Sequence, residues 1–109
     1  MTDIQQITRS LLAFRNERDW EQFHNAKDLA VALSVEANEL LELFLWKQAE
    51  EADAARVREE LADVMAYTLL LADKYGFDIK EIVLEKIKQN ELKYPVQKAK
   101  GNARKYNEL

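Results

Sequence analysis

The chain has 109 residues, a length typical of one domain, and 48% of its side chains are hydrophobic while 33% are charged. It contains two glycines, one proline and no cysteine, which excludes disulfides and thiolate metal sites and disfavours a many-stranded β fold. Its formal net charge of −4 is unlike that of a protein that binds DNA or RNA along the backbone. The first residues are polar and no apolar run approaches the ~18 residues of a membrane span, so a cytoplasmic location without membrane contact is the default expectation.

The first half of the chain predicts two helices. Apolar residues recur at spacings of three and four over about residues 3–19, which is typical of an amphipathic helix. Asn25 is a favourable N-cap, and Asp28 follows it at the spacing of a capping box. The second helix is therefore predicted over about residues 25–48, followed by a charged turn.

The second half predicts two more helices and a tail. The third helix is expected over about residues 54–75, because Gly76 is a typical residue just beyond a helix end. The fourth is expected over about residues 78–94, because Pro95 disfavours helical geometry in the residue before it. Residues 96–109 are polar and basic, and we expect them to form an extended tail.

These elements predict an all-α subunit, an antiparallel four-helix bundle that forms a single domain over residues 1–109. A helical chain of this size buries only a modest core. We therefore expect it to assemble with copies of itself.

Two acidic pairs lie on faces that should be apolar. On a helical wheel Glu36 falls among the leucines of the second helix, and Glu39 lies about 60° away. Glu60 and Asp63 are related in the same way on the third helix. Ionised carboxylates that are buried without partners are costly, and four that converge repel one another. A divalent cation resolves both problems, and hard oxygen donors favour Mg²⁺ or Mn²⁺.

Other interpretations of the four acids remain open from spacing alone. Acids three residues apart usually face water on a solvated helix. A non-enzymatic interaction module with an acidic groove for a basic partner would also explain them. A di-iron or ferritin-type bundle is disfavoured, because its sites need Glu-x-x-His motifs on two helices and this chain has one histidine.

The same residues resemble a known family. The run 36–46 followed by 59–67 resembles the E-x-x-E … E-x-x-D signature of MazG-like nucleotide pyrophosphohydrolases. Residues 18–29, 86–95 and 103–106 resemble the branch of that family that includes the dCTP pyrophosphatases.

The resemblance implies an enzyme that cleaves a nucleoside triphosphate between its α and β phosphates, releasing the monophosphate and pyrophosphate. It implies that Glu36, Glu39, Glu60 and Asp63 are the catalytic residues and hold two or more Mg²⁺ ions, with Mn²⁺ a possible substitute. It further implies a homodimer or a tetramer of two dimers, with sites formed between subunits. The expected role is house-cleaning of the nucleotide pool, on dCTP or a related or modified dNTP such as dUTP.

The resemblance also suggests which residues bind the substrate. They are Trp20, His24, Lys27, Trp46, Tyr67, Lys86, Asn90, Lys93 and Tyr94. The two tryptophans and His24 are expected near the base, because an aromatic face stacks on any base. Lys86 and Lys93 lie seven residues apart on one helix face, where either could pair with phosphate oxygens. Structural roles stay open, with Trp46 as a cap on the core, His24 as a structural histidine and Tyr94 as a core plug.

Overall fold

The structure is a computed structural model that describes all 109 residues, and it is entirely helical. Its α-helices are α1 (Asp3–Glu17), α2 (Ala26–Glu42), α3 (Ala54–Tyr75), α4 (Ile79–Lys93) and α5 (Val96–Ala99). Single 3₁₀ turns lie at Glu21–Phe23, Ala49–Glu51 and Tyr106–Glu108. The all-α class is therefore confirmed. None of these helices combines the length and the apolar character that a membrane crossing requires.

The chain divides into two compact units, residues 1–76 and residues 77–109. In the first unit, α3 packs against both α2 and α1. The second unit holds α4 and α5. The antiparallel four-helix bundle is not confirmed, and the single domain over residues 1–109 stays a prediction.

Short polar residues fix the helix ends where the sequence predicted them. The Asn25 side chain accepts a hydrogen bond from the backbone N–H of Asp28 at 2.8 Å, and Asp78 caps α4 by accepting from Glu81 at 3.0 Å. Each bond satisfies a backbone donor that the first helical turn leaves without a partner. At the other end of α3, Gly76 takes the left-handed conformation with φ 68°. Three boundaries predicted from local signals are thus confirmed.

The end of α2 differs from its prediction. The helix stops at Glu42 rather than near Gln48. Beyond that point the backbone tightens, because the N–H of Phe44 donates to the carbonyl of Leu41 at 2.9 Å, three residues back instead of four. Trp46 then adopts a left-handed φ of 63°, which ends any helical path. Trp46 consequently lies in the α2–α3 connection, outside the apolar stripe of α2.

The tail is not uniformly extended, so that prediction was wrong. Within residues 96–109, Val96–Ala99 forms a short helix and Tyr106–Glu108 a 3₁₀ turn. The physical reason lies at Pro95, whose ring fixes φ at −61° and leads directly into a helical turn. The N–H of Lys98 donates to the Pro95 carbonyl at 2.9 Å and closes that turn.

The buried core belongs to the first unit. Its hydrophobic members are Leu29, Leu43, Leu69, Leu70 and Ala72. Leu29 and Leu43 lie on the predicted stripe of α2. Leu69 lies nine residues after Glu60, about 180° around α3 from it. A helix that packs against two neighbours buries two faces, and the apolar pattern of α3 indicated only one of them.

Candidate active site

Carboxylates from α2 and α3 meet within the first unit. Glu36 of α2 and Glu60 and Asp63 of α3 each offer a carboxylate oxygen, and the three atoms lie within 4.8 Å of one another. Glu36 and Glu60 are half-buried, whereas Asp63 is exposed. We call these three residues the carboxylate cluster. Three of the four acids singled out on the helical wheels therefore meet across the α2–α3 contact.

The cluster holds more negative charge than its surroundings neutralise. Burial raises the pKa of Glu36, and the carboxyl groups of Glu60, Glu39 and Asp63 raise it further, to about 7. The Oε2 atoms of Glu36 and Glu60 are both buried and neither has a hydrogen-bond partner. An unsatisfied buried carboxylate oxygen is costly.

A divalent cation fits this arrangement. It would supply the missing partner for the buried oxygens of Glu36 and Glu60 and offset the repulsion that raises the pKa of Glu36. The donor set is all oxygen, which suits a hard cation such as Mg²⁺, Mn²⁺ or Ca²⁺. Glu39 is not in the group of three but lies next to Glu36, and its charge contributes to that raised pKa.

An aromatic contact lies one helical turn beyond the cluster. The rings of His24 and Tyr67 meet edge to face with centroids 6.5 Å apart. Burial raises the pKa of Tyr67, and the charges of Glu36 and Asp63 add to that effect. Nδ1 of His24 is buried without a hydrogen-bond partner. Two residues predicted to bind substrate are thereby placed together beside the carboxylates.

His24 lies in an environment that disfavours its protonated form. Burial lowers its pKa, and the positive charges of Arg15 and Lys74 lower it further. The neutral imidazole has one donor and one acceptor nitrogen. His24 can therefore act as a neutral hydrogen-bonding group at physiological pH.

Arg15 is a buried charged residue that was not predicted from the sequence. It is only 5% exposed, and it is the one buried residue of α1. Its Nε donates to Oδ1 of Asn16 at 3.1 Å, Nη2 lies 3.8 Å from the Glu21 carboxylate, and Nη1 has no partner. A signal was available, because Arg15 follows Leu11 by four residues and so continues the apolar stripe of α1.

The remaining predicted residues of the first unit are more exposed. Trp20 precedes the first 3₁₀ turn, and its ring meets Phe14 edge to face at 5.7 Å. Lys27 lies exposed in the first turn of α2. Trp46 is 99% exposed, so it does not cap the core of its own subunit.

Four predicted binding residues belong to the second unit. Lys86, Asn90 and Lys93 lie on α4, and Tyr94 is its C-cap. The Lys93 ammonium lies 5.0 Å from the centre of the Tyr106 ring, and Tyr94 meets the same ring edge to face at 6.3 Å. Their substrate contacts stay predictions.

A cleft of about 490 Å³ opens beside the cluster within the first unit. It lies between the end of α2, the α2–α3 connection and the start of α3. Its lining residues are Glu39, Glu42, Leu43, Lys47, Arg56 and Glu60. The volume falls in the range of small-molecule sites.

The fold and the site together define a class of protein. It is an all-helical protein in which the carboxylates of an E-x-x-E helix and an E-x-x-D helix lie close together. The model of the MazG-like family matches residues 31–109. The chain belongs to the MazG-like family.

Two curated relatives illustrate the similarity. The chain is 40% identical to dCTP pyrophosphatase 1 of Bos taurus over 114 residues, which cover 97% of this chain and 68% of the relative. It is 40% identical to dCTP pyrophosphatase 1 of Homo sapiens, with coverage of 97% and 67%.

A solved structure shows the same fold. The crystal structure of a pyrophosphatase from Archaeoglobus fulgidus superposes with a TM-score of 0.81 at 36% identity. The match covers 87% of this chain and 94% of that one.

Proposed function

We propose that this chain is a Mg²⁺-dependent nucleoside-triphosphate pyrophosphatase that converts a dNTP to the monophosphate and pyrophosphate. dCTP or a related or modified dNTP is the substrate we expect, because the relatives that are 40% identical are dCTP pyrophosphatases. The structural observation that supports the proposal most is the convergence of Glu36, Glu60 and Asp63 within 4.8 Å. Nucleotide house-cleaning is the role that such an activity would serve.

In this proposal the carboxylate cluster, with Glu39 beside it, holds the metal. When bound, the divalent cation would neutralise the triphosphate charge and acidify water for attack on the α-phosphorus. The four carboxylates contribute position and negative charge. The buried Oε2 atoms of Glu36 and Glu60 lack hydrogen-bond partners, so these atoms are available as ligands.

The residues beyond the cluster would orient the substrate. Tyr67 offers an aromatic ring one turn from Asp63, and His24 beside it offers a neutral hydrogen-bonding group, an arrangement that suits a nucleobase. Trp20 and Lys27 lie on the same unit and stay proposed contacts. Lys86, Asn90, Lys93 and Tyr94 of the second unit are proposed from the family resemblance alone.

We also propose that the functional form is a homodimer or a tetramer of two dimers. Apolar side chains of the first unit are left in contact with water: Val31 is 54% exposed, Val35 49%, Leu61 52% and Met65 54%. Two of them lie on α2 and two on α3. Large apolar side chains that stay exposed on neighbouring helices are typical of interaction sites. A site shared between subunits would also account for Trp46, which its own chain leaves 99% exposed.

The test is release of pyrophosphate from a panel of canonical and modified dNTPs, with and without Mg²⁺. Glu39→Gln and Asp63→Asn should abolish metal-dependent release while the proteins remain folded. Glu59→Gln is the matched control, because Glu59 is an exposed neighbour of Glu60 outside the cluster. No release from any triphosphate by the folded, metal-supplied wild type would exclude the enzyme. The acidic groove of an interaction module would then be the better explanation.

A further inference from the structure

We propose that Lys47 and Arg56 bind the β and γ phosphates of the substrate, so that the triphosphate tail lies in the cleft and points toward the α2–α3 connection. This inference rests on the proposed function and adds the direction in which the substrate lies. Neither residue belongs to the acid pairs or to the aromatic contact.

Lys47 and Arg56 are the two basic residues that line the cleft. Lys47 lies in the α2–α3 connection and Arg56 in the first turn of α3. The other charged lining residues are Glu39, Glu42 and Glu60. Despite these neighbours, neither cation forms an ion pair within 4.0 Å or a side-chain hydrogen bond. Two positive groups thus face one cavity while their side chains remain available to a ligand.

The order of residues along α3 gives the site a direction. Arg56, Glu60, Asp63 and Tyr67 follow one another at spacings of four, three and four residues, which places them near one face of the helix. Arg56 lies one turn, about 6 Å, before Glu60, and Tyr67 lies about 6 Å beyond Asp63. The carboxylates are therefore flanked by a cationic end and an aromatic end.

A nucleoside triphosphate has the same polarity. Its base is aromatic, its α-phosphorus is the reacting centre, and its β and γ phosphates carry most of the negative charge. With the α-phosphorus at the cluster, the base would meet His24 and Tyr67, and the leaving pyrophosphate would meet Lys47 and Arg56. The reverse orientation would leave Lys47 and Arg56 without an anionic partner.

The α3 N-terminus supports the same direction. Helix N-termini carry partial positive charge and favour phosphate groups. Arg56 lies in that first turn, so its guanidinium lies at the positive end of the helix dipole. Guanidinium groups also suit phosphate because they donate two parallel hydrogen bonds. Three carboxylates oppose the two cations, so we expect the tail to bind only together with the divalent cation.

A binding measurement tests this without turnover. Inorganic pyrophosphate with Mg²⁺ is titrated by calorimetry into wild type and into the Lys47→Gln/Arg56→Gln protein. We expect the double variant to bind about tenfold more weakly or worse, as for loss of charge-assisted hydrogen bonds. Binding of the Mn²⁺ ion alone should stay within about twofold of wild type, because exposed charges nearby act weakly.

Arg58→Gln is the matched control. Arg58 is exposed on α3 two residues after Arg56, but it does not line the cleft. It should bind pyrophosphate like wild type, and Lys47→Arg/Arg56→Lys should restore most of the lost affinity. Wild-type affinity in the double glutamine variant would overturn the proposal, as would an equal loss in Arg58→Gln.

Kinetics separate this inference from the proposed function. With dCTP as substrate, the double variant should raise KM by about tenfold or more, whereas inhibition by dCMP, which lacks both distal phosphates, should not change. A wild type that releases no pyrophosphate from any triphosphate would refute the proposed function. The pyrophosphate titration would then still decide whether Lys47 and Arg56 form an anion site.

Discussion

His24 and Tyr67 meet edge to face at a ring distance of 6.5 Å, which ties the connection between α1 and α2 to α3 one turn beyond Asp63. This contact places a lone histidine beside the carboxylate cluster although the two are far apart in sequence. The contact also joins two regions of opposite charge. Besides burial, the charges of Glu36 and Asp63 raise the pKa of Tyr67, whereas the charge of Arg15 lowers the pKa of His24.

We predict that His24 titrates below its ordinary value of 6.5, because burial and the cations Arg15 and Lys74 disfavour the imidazolium. NMR detects this directly, since His24 is the only histidine. Because the folded pKa is depressed, the associated stability is present above pH 6.5 and is lost as the pH falls through the folded pKa. Lys74→Gln should raise the pKa toward 6.5, and Arg15→Gln should raise it further. An unshifted wild-type value would contradict the prediction.

The contact between His24 and Tyr67 predicts that two substitutions of Tyr67 differ in their effect on KM. Tyr67→Phe retains the ring against His24, whereas Tyr67→Ala removes it. If His24 and Tyr67 border the base, Tyr67→Ala should raise KM for dCTP by roughly tenfold, the size of a lost base–aromatic contact. Tyr67→Phe should stay near wild type. Equal kinetics for the alanine variant and wild type would show that the pair fills the fold rather than the site.

The carboxylate cluster should make the stability of the metal-free protein depend on pH. The folded pKa of Glu36 is about 7, above its ordinary value of 4.5, so its contribution to stability is full below 4.5 and is lost as the pH rises through 7. In EDTA, we expect the free energy of unfolding to fall by about 1–3 kcal/mol between pH 5 and pH 8. Urea unfolding at the two pH values measures this difference in the free energy of unfolding. Added Mn²⁺ at pH 8 should restore the loss.

Glu36→Gln is the control for that titration. The amide cannot ionise, so the metal-free variant should be more stable than wild type at pH 8 and show a flatter pH profile. The same variant should bind metal poorly. A wild-type pH profile in Glu36→Gln would assign the sensitivity to another group.

Local features such as helix ends could be predicted from the sequence more fully than the packing of the helices. Asn25 and Gly76 act within a few residues, so their roles are visible in the chain. The position of the acids could also be predicted, because a carboxylate such as that of Glu36 is unexpected on the apolar stripe of a helix. The buried face around Leu69 was not visible, since it depends on α3 packing against two helices at once.

Two site features needed three-dimensional information. Arg15 is buried by its neighbours, and a charged residue that follows an apolar stripe can equally extend to solvent. Glu39 lies beside rather than within the group of three, because the group depends on how α2 and α3 are rotated relative to each other. The early end of α2 likewise reflects hydrogen bonds to the third residue back, which no residue type demands.

Gly76 allows a test of the fold that is independent of function. Its φ of 68° is left-handed, and a Cβ there would meet no atom within 4 Å, so the cost of a side chain is conformational. Gly76→Ala should lower the free energy of unfolding by about 1 kcal/mol, and Gly76→Asn by less, because asparagine tolerates this region. Urea unfolding compares them. An alanine variant as stable as wild type would contradict the left-handed end of α3.

The exposed apolar surface predicts how assembly should respond to charge. Leu61 and Met65 lie one turn apart on α3 and are 52% and 54% exposed. If this surface is buried between copies, Leu61→Glu/Met65→Glu should shift the molecular mass measured by light scattering toward the 12.7 kDa of one chain.

Ile82→Glu/Val83→Glu on α4 is the comparison, since those residues are also partly exposed. Activity should fall with the mass if the site is shared between subunits. An oligomer that persists through Leu61→Glu/Met65→Glu would assign its interface to another surface, and the comparison variant would show whether α4 carries it.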